Sequence, residues 1–384
     1  MPWQTEGPMD KKMQMIMDWH TEEYFKIDLS KKYSIHRKTV DKWINRYQEK
    51  GIFGLQELSR APKNHPNQTT EELLNLLLTE KSNKPRRGPK KIKRQLEKKY
   101  PELVFPAAST IGDWFKKYGL VRERKRRKGV PPYTEPFQKC RKPNEVWSID
   151  YKGQFYMRNK RLCYPLTISD NYSRYLLACQ GLEGPRYEET RYILERTFRE
   201  YGLPKAIRSD NGHPFAGKCV GGLSRLSIWW IQLGIIPERI AKAHPEQNGR
   251  HERMHRTLKE EVLEHVGKNL ADQQREFDLF HQEYNNNRPH EALGQDVPAI
   301  HYRHSERLYR NKPLSPEYDY GFTVRQVRSS GDIKINGMAY FLTELLKGEH
   351  VGLKEIEDGK LKVYYSFFSL GIIDLRKNKV FKLS

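Results

Sequence analysis

Asp150, Asp210 and Glu252 are the residues whose types and placement could do chemistry. Asp150 closes the run Val146-Trp-Ser-Ile, which reads as a strand ending near that aspartate. Asp210 follows the short run Lys205–Arg208 and precedes Asn211-Gly212, a turn signal. Glu252 opens a helical pattern in which Met254, Leu258 and Val262 form one apolar stripe. Carboxylates at strand ends can converge with one carried on a helix. Hard oxygen ligands of this kind suit Mg2+ or Mn2+ and not zinc. Two such ions, about 3.5–4 Å apart, can clamp an in-line phosphoryl displacement. Without a metal the three carboxylates repel one another, and at least one pKa must rise. Arg256 and Lys259 follow Glu252 by one and two helical turns. That spacing suits contact with a phosphate backbone, and it equally describes a solvated face with an ordinary Glu–Arg pair.

The elements that must position these residues form an α/β pattern over residues 144–305. Strands are predicted at Val146–Asp150, Arg161–Ser169, Tyr175–Gln180, Lys205–Arg208 and Ile235–Ile240. Helices are predicted at Tyr187–Tyr201, Ser224–Leu233 and Leu270–Tyr284. Upstream, residues 1–62 read as three helices with a tight turn at Ser34-Ile35-His36. In the third, Val40, Ile44 and Tyr47 face inward. This is the helix-turn-helix pattern, and Arg37, Lys38, Lys42 and Arg46 are its predicted DNA contacts. Residues 63–120 form a second helical module, with Arg86, Arg87 and Lys90 on its basic edge. Residues 121–143 read as a basic linker in which Arg124, Arg126 and Arg127 track phosphates. Residues 306–321 read as a second linker. Residues 322–384 read as short strands punctuated by glycine, a small β-barrel-like unit or half-open roll. Its Arg325, Arg328, Lys334 and Lys354 suit DNA contact or a structural role equally.

The charge supports a polyanionic partner. The 384 residues carry a formal net charge of +22, and residues 1–130 hold 30 Lys and Arg against 16 Asp and Glu. No apolar run approaches the ~18–20 residues of a membrane span, and the N-terminus lacks a signal-peptide pattern. A cytoplasmic, nucleoid-associated protein is the expectation. Cys140, Cys163, Cys179 and Cys219 lack zinc spacing and read as reduced, mostly buried thiols. His213, His244, His251 and His255 cluster near the carboxylates in sequence. They read as loop and helix-surface residues rather than groups acting on a leaving group. Trp229 and Trp230 read as core. Glu246, in the loop, ranks below Glu252 as a ligand, and Asp170 reads as a turn residue.

Val146-Trp-Ser-Ile-Asp150, Ser209-Asp210-Asn211-Gly212 and His244-Pro-x-x-Asn-Gly-x-x-Glu252-Arg resemble the three signature blocks of the DDE transposase and retroviral-integrase superfamily. Asp170-Asn-Tyr-Ser-Arg174 and Asn287-Arg-Pro-His-x-Ala-Leu293 are similar to bacterial insertion-sequence transposases. Gly221–Trp230 and the following Pro-Glu-Arg-Ile resemble the insertion-sequence family numbered 481. The resemblance covers residues 1–305. It implies an RNase H-like core in which Asp150, Asp210 and Glu252 bind Mg2+ (Mn2+ substituting), two ions per site. It implies cleavage at terminal inverted repeats and joining of the freed 3′-OH to target DNA. A homodimer or higher assembly on double-stranded DNA is expected, with no membrane partner. Two features depart from the pattern. The gap from Asp210 to Glu252 is longer than is familiar, with the excess expected within Gly217–Trp230, and the His/Cys zinc domain of retroviral integrases is absent. A domesticated, non-catalytic DNA-binding regulator is the rival reading. A stand-alone nuclease is the third, and it leaves the helical modules idle.

Overall fold

The computed structural model describes residues 7–57, 69–121, 140–217, 220–240, 249–262, 265–310 and 315–382. Two compact units divide the chain, Met1–Thr70 and Glu71–Ser384. Among the described residues no helix is long and apolar enough to cross a membrane.

The first unit packs α1 (Pro8–His20), α2 (Lys26–Lys32) and α3 (Arg37–Lys50) around Met15, Ile16, Leu29, Val40, Trp43, Ile44 and Leu55. Ser34 adopts a positive φ and His36 caps α3, its Nδ1 accepting from the Lys38 amide. The turn predicted at Ser34-Ile35-His36 therefore has a physical cause. Trp43 lies inward with Val40 and Ile44, while Tyr47 is only half-buried. Arg37, Lys38 and Lys42 are exposed, and Arg46 stacks over the Trp43 ring.

The second unit begins with α4 (Glu71–Asn83), α5 (Pro89–Lys99) and α6 (Ala108–Lys117), which share a core of Leu77, Ile92, Leu96, Phe105, Ile111 and Phe115. This module is docked on the rest of the unit by charge. Arg87 is 3% exposed and bonds to Glu283 and Gln95. Lys84 also reaches Glu283, at 3.1 Å, and Arg86 lies 3.8 Å from Glu260. Arg87, expected to contact DNA, is thus a buried docking residue: burial opposes its charge, and Glu283 compensates. Glu283→Ala leaves that guanidinium buried and unpaired, and is expected to destabilise the unit by about 3–5 kcal/mol in denaturant melts. Lys90 is exposed. Arg124, Arg126 and Arg127 lie outside the described residues.

The core that follows is a mixed sheet. Its strands are β1 (Val146–Tyr151), β2 (Phe155–Tyr156), β3 (Leu162–Asp170), β4 (Leu176–Leu182), β5 (Ala206–Ser209) and β6 (Ile236–Arg239). β1, β3 and β4 are antiparallel neighbours, while β5 and β6 run parallel to β1. This is the RNase H-like arrangement. Helices α7 (Tyr187–Tyr201) and α8 (Arg225–Gln232) cover one face with Leu194, Phe198, Leu226, Trp229 and Trp230. Both tryptophans are core, as their sequence context suggests. Helices α9 (Gly249–Val262) and α10 (Leu270–Gln282) cover the other face with Met254, Leu258, Val262, Phe277 and Phe280. Each of those side chains contributes roughly 1.5–3 kcal/mol through burial. A π-helical turn, Glu283–Asn287, continues α10, and α11 (Pro298–His301) follows.

Residues 306–310 are not a loose linker. Arg307 donates to the carbonyls of Pro204, Leu233 and Gly234, and Tyr309 packs against Phe198 and Trp229. The remainder is all-β: β7 (Thr323–Gln326), β8 (Asp332–Ile335), β9 (Met338–Phe341), β10 (His350–Glu357), β11 (Lys360–Tyr365), β12 (Phe368–Asp374) and β13 (Lys379–Lys382). Five strands form one antiparallel sheet in the order β13-β12-β11-β10-β7, with β8–β9 as a separate hairpin. Its core includes Val220, Leu223, Ile228 and Ile231 from the segment at and before α8. Residues Val220–Ile231, between Asp210 and Glu252, therefore build the seat of the β unit. Cys163 and Cys179 are buried free thiols and Cys140 is half-buried; Cys219 lies outside the described residues.

Candidate active site

Strand register brings the two aspartates together. Val146, Trp147 and Ser148 pair in parallel with Ala206, Ile207 and Arg208. Carried two residues further, that register puts Asp150 and Asp210 at the same level of neighbouring chain segments, and the Asp210 charge acts on the Asp150 carboxyl. Alternation along β1 sends Trp147 and Ile149 into the α7/α8 core. Ser148 and Asp150 then fall on the α9 face. Asp210 is held by its own turn. The Gly212 amide donates to its Oδ1 at 3.0 Å, and Asn211 ties the turn to the Ile240 carbonyl. A Cβ at Gly212 would sit 2.8 Å from the Asp210 carboxylate, so a larger residue there would push that carboxylate aside.

Glu252 sits in the first turn of α9 and is exposed, as are Arg256 and Lys259. Among the described residues no ion pair joins Glu252 to either cation, so the solvated Glu–Arg pair does not form. His244 and Glu246 lie outside the described residues.

Asp150 carries the electrostatic signature of the cluster. Its carboxyl is pushed up to about 7, first by burial, then by the negative charge of Asp210, with Glu252 adding in the same direction. Among the described residues no three acidic, histidine or cysteine side chains close tightly enough to hold a metal ion. The donor set nevertheless fits a hard divalent cation. It is all carboxylate, and the repulsion felt at Asp150 is what such a cation relieves.

Sequence reasoning missed what fixes α9. His251 and His255 are not on the surface; they are 1% and 3% exposed. Both Nε2 atoms converge on the Thr167 hydroxyl, at 2.8 and 2.6 Å, and the Ser169 hydroxyl meets His251 Nδ1 at 2.7 Å. Thr167 Oγ1 also lies 3.2 Å from the Asp150 carbonyl. One proton assignment satisfies every contact. Thr167 donates to the Asp150 carbonyl and accepts from two Nε2–H groups, and Ser169 donates to His251 Nδ1. Both rings are then neutral. Burial drives them that way, holding His251 down to about 3 and His255 lower still, with His251 adding to the effect on His255. His255 Nδ1 is left facing Asp150 Oδ2 at 3.7 Å. The helix bearing Glu252 is thereby keyed to the strands bearing Asp150. A signal was present: positions 251, 254, 255, 258 and 262 trace one helical stripe.

Asp170 is the turn residue expected. It is buried and accepts from the amides of Asn144 and Ser173 and from the Ser173 hydroxyl. His213 is exposed, its Nδ1 3.0 Å from the Pro185 carbonyl.

Two sequence profiles described as integrase core domain match residues 141–245 and 233–298, spanning all three carboxylates. Residues 141–298 of the chain are thus similar to integrase core domains. A homeodomain-like profile matches residues 39–115, running from α3 through the second helical module. An insertion element IS407 protein of Burkholderia multivorans is 30% identical over 48% of this chain and 65% of its own length. An insertion element IS476 protein of Xanthomonas euvesicatoria is 30% identical over 47% of this chain and 51% of its own. The Gag-Pol polyprotein of baboon endogenous virus is 29% identical over 45% of this chain and 10% of its own. The chain thus spans less than two thirds of the length of each of these relatives. Among solved structures, the HTLV-2 integrase catalytic core domain in complex with magnesium aligns with 42% of this chain and 99% of its own, at 16% identity and a TM-score of 0.34.

Proposed function

We propose that this protein is a DNA transposase that binds the terminal inverted repeats of an insertion sequence, cuts at the element ends and joins the freed 3′-OH to target DNA. The observation that carries the reading is Asp150, half-buried near the end of β1 with the charges of Asp210 and Glu252 acting on it. Asp150, Asp210 and Glu252 would hold Mg2+, with Mn2+ as a substitute and two ions per site. The bound ions supply activation of the attacking oxygen and neutralisation of the leaving one. In the first step a water oxygen attacks the phosphodiester, and the departing 3′ oxygen takes the electron pair. In the second, that 3′-OH attacks a target phosphodiester in line, losing its proton as the target strand's own 3′ oxygen departs with the electron pair of the broken P–O bond. No covalent protein intermediate is required. Arg256 and Lys259 would contact phosphates beside Glu252. Arg37, Lys38, Lys42 and Arg46 on α3 would enter a groove. Joining needs two DNA ends, so a homodimer or larger assembly on DNA follows, in the bacterial cytoplasm.

The test is Mg2+-dependent joining of an oligonucleotide bearing an element end. Joined product is expected with Mg2+ or Mn2+ and none after chelation. If the duplex is bound but neither cut nor joined with either ion, a non-catalytic DNA-binding regulator is the correct reading. Cutting without joining would identify a nuclease.

A further inference from the structure

The turn that holds Asp210 is tied to the segment that seats the β unit. Within the turn, the Gly212 carbonyl accepts from the amides of Phe215 and Ala216, at 2.9 and 3.1 Å. Two further hydrogen bonds reach the residues just before α8. The Gly217 amide donates to the Gly222 carbonyl at 2.9 Å. The Ser224 hydroxyl caps α8, accepting from the Ser227 amide, and donates to the Phe215 carbonyl at 2.8 Å. Phe215 is itself buried in the mixed-sheet core, its ring centroid 5.8 Å from that of Tyr151, the residue after Asp150.

The segment that receives these bonds has little order of its own. Gly221 and Gly222 are consecutive glycines at φ of 68° and 62°, and glycine loses more conformational freedom on folding than any other residue. Contacts from two sides hold the pair. On one side Arg239, the last residue of β6, donates to the Gly221 carbonyl at 2.9 Å. Its guanidinium lies so close over Gly222 that a Cβ there has no room. On the other side stands β12. A Cβ at Gly221 would lie 3.3 Å from the Leu370 side chain, and one at Gly371 would lie 3.1 Å from Val220. The Ile240 carbonyl, next to Arg239, accepts from Asn211 in the Asp210 turn. Packed and hydrogen-bonded groups thus run without a break from Leu370 through Gly221, Gly222 and Ser224 to that turn.

We infer that the β unit positions Asp210 through the Gly221–Gly222 segment, with Arg239 as the positioning residue that closes the link. Arg239 holds the two glycines against β12, and Gly222 and Ser224 hold the Asp210 turn. Such a link matters to the chemistry, because a reacting group displaced by about 1 Å can cost on the order of a hundredfold in rate. The inference rests on the metal-dependent reading above and gives the β unit a part in it. It requires no contact between that unit and DNA.

The experiment uses the full chain. Hydrogen exchange across residues 209–217, followed without metal or DNA, reads the turn directly. An EPR titration with Mn2+ and the joining of an element end read its consequences. Arg239→Met removes the donor, and Leu370→Ala removes the packing from β12. Each is expected to speed exchange across 209–217 several-fold, to weaken Mn2+ binding several-fold and to slow joining about tenfold, with duplex affinity unchanged. The double variant is expected to add little to either single one, because both act on one link. Arg239→Lys keeps a donor and is expected to restore all three readouts. Leu353→Ala, buried on β10 two strands away from β12, is expected to lower the melting temperature and leave the three readouts alone. Exchange and Mn2+ affinity equal to wild type in both Arg239→Met and Leu370→Ala would overturn the link, as would an equal effect of Leu353→Ala. An effect of Arg239→Met without one of Leu370→Ala would remove the β unit from the link and overturn the inference as well. If Leu370→Ala does not fold, Arg239→Met and its rescue by Lys decide. A wild type that never joins DNA removes the transposase reading, and exchange across 209–217 still decides the link.

Discussion

Asp150→Asn is expected to lower cleavage and joining by about a thousandfold or more while leaving duplex binding intact. The same change is expected to stabilise the metal-free protein near neutral pH. The folded Asp150 keeps its proton up to about 7, whereas an unfolded aspartate loses it near 3.8. Between those values the folded state binds more protons, so this residue makes stability fall as pH rises. The penalty is complete above about pH 7 and is on the order of 4 kcal/mol at most. Asparagine cannot ionise and escapes it. Thermal melts from about pH 5 to about pH 8 should therefore show a declining wild type and a flatter variant. Mg2+ should raise the melting temperature of the wild type and leave Asp150→Asn unmoved. A variant that melts like the wild type at every pH, with and without Mg2+, would show that Asp150 is neither strained nor a ligand.

Thr167→Val is the second large effect. It replaces the hydroxyl with a methyl group of similar size and strands both Nε2–H groups of His251 and His255, which bond to that oxygen. Two buried donors without partners cost on the order of 3 kcal/mol. The loss does not stay local, because α9 carries Glu252. Joining should fall with stability, and Mn2+ should bind more weakly in an EPR titration. Thr167→Ser keeps the hydroxyl, costs about 1 kcal/mol in lost packing, and should retain both Mn2+ binding and joining. Equal behaviour of the Val and Ser variants in both readouts would dismiss the histidine key.

Asp150 and Asp210 stood out as candidates in the sequence because short strand patterns, Val146–Ile149 and Lys205–Arg208, end just before them, and a strand end is set by local pattern. Their facing one another is a matter of register, which the sequence does not print. Glu252 was legible as the first carboxylate of an amphipathic helix, on the polar face beside its apolar stripe. The buried histidines were not, because polarity assigned them to the wet side, and only the opposing Thr167 and Ser169 hydroxyls make a dry position tolerable. Arg87 misled for the same reason. A cation in a basic loop reads as free until Glu283, almost two hundred residues away, is known to meet it. Residues 306–310 read as a linker because hydrogen bonds from Arg307 to backbone carbonyls leave no trace in composition. The alternation of strands and helices carried the core's fold class, and the glycine-punctuated strands carried the β unit's, since each depends on period alone.

Helix α8 spends both of its faces. Trp229 and Trp230 lie in the core of the mixed sheet, and Ile228 and Ile231 lie in the core of the β unit. The β unit is therefore not a detachable accessory. A chain ending at residue 310 would expose Ile228 and Ile231 with Val220 and Leu223, a patch prone to aggregation. The same sharing constrains inheritance. A recombination event that exchanged only the C-terminal strands would mismatch half of a helix still bound to the other core. The segment from Val220 to Gln232 and the β unit are accordingly expected to travel between related elements as one heritable block.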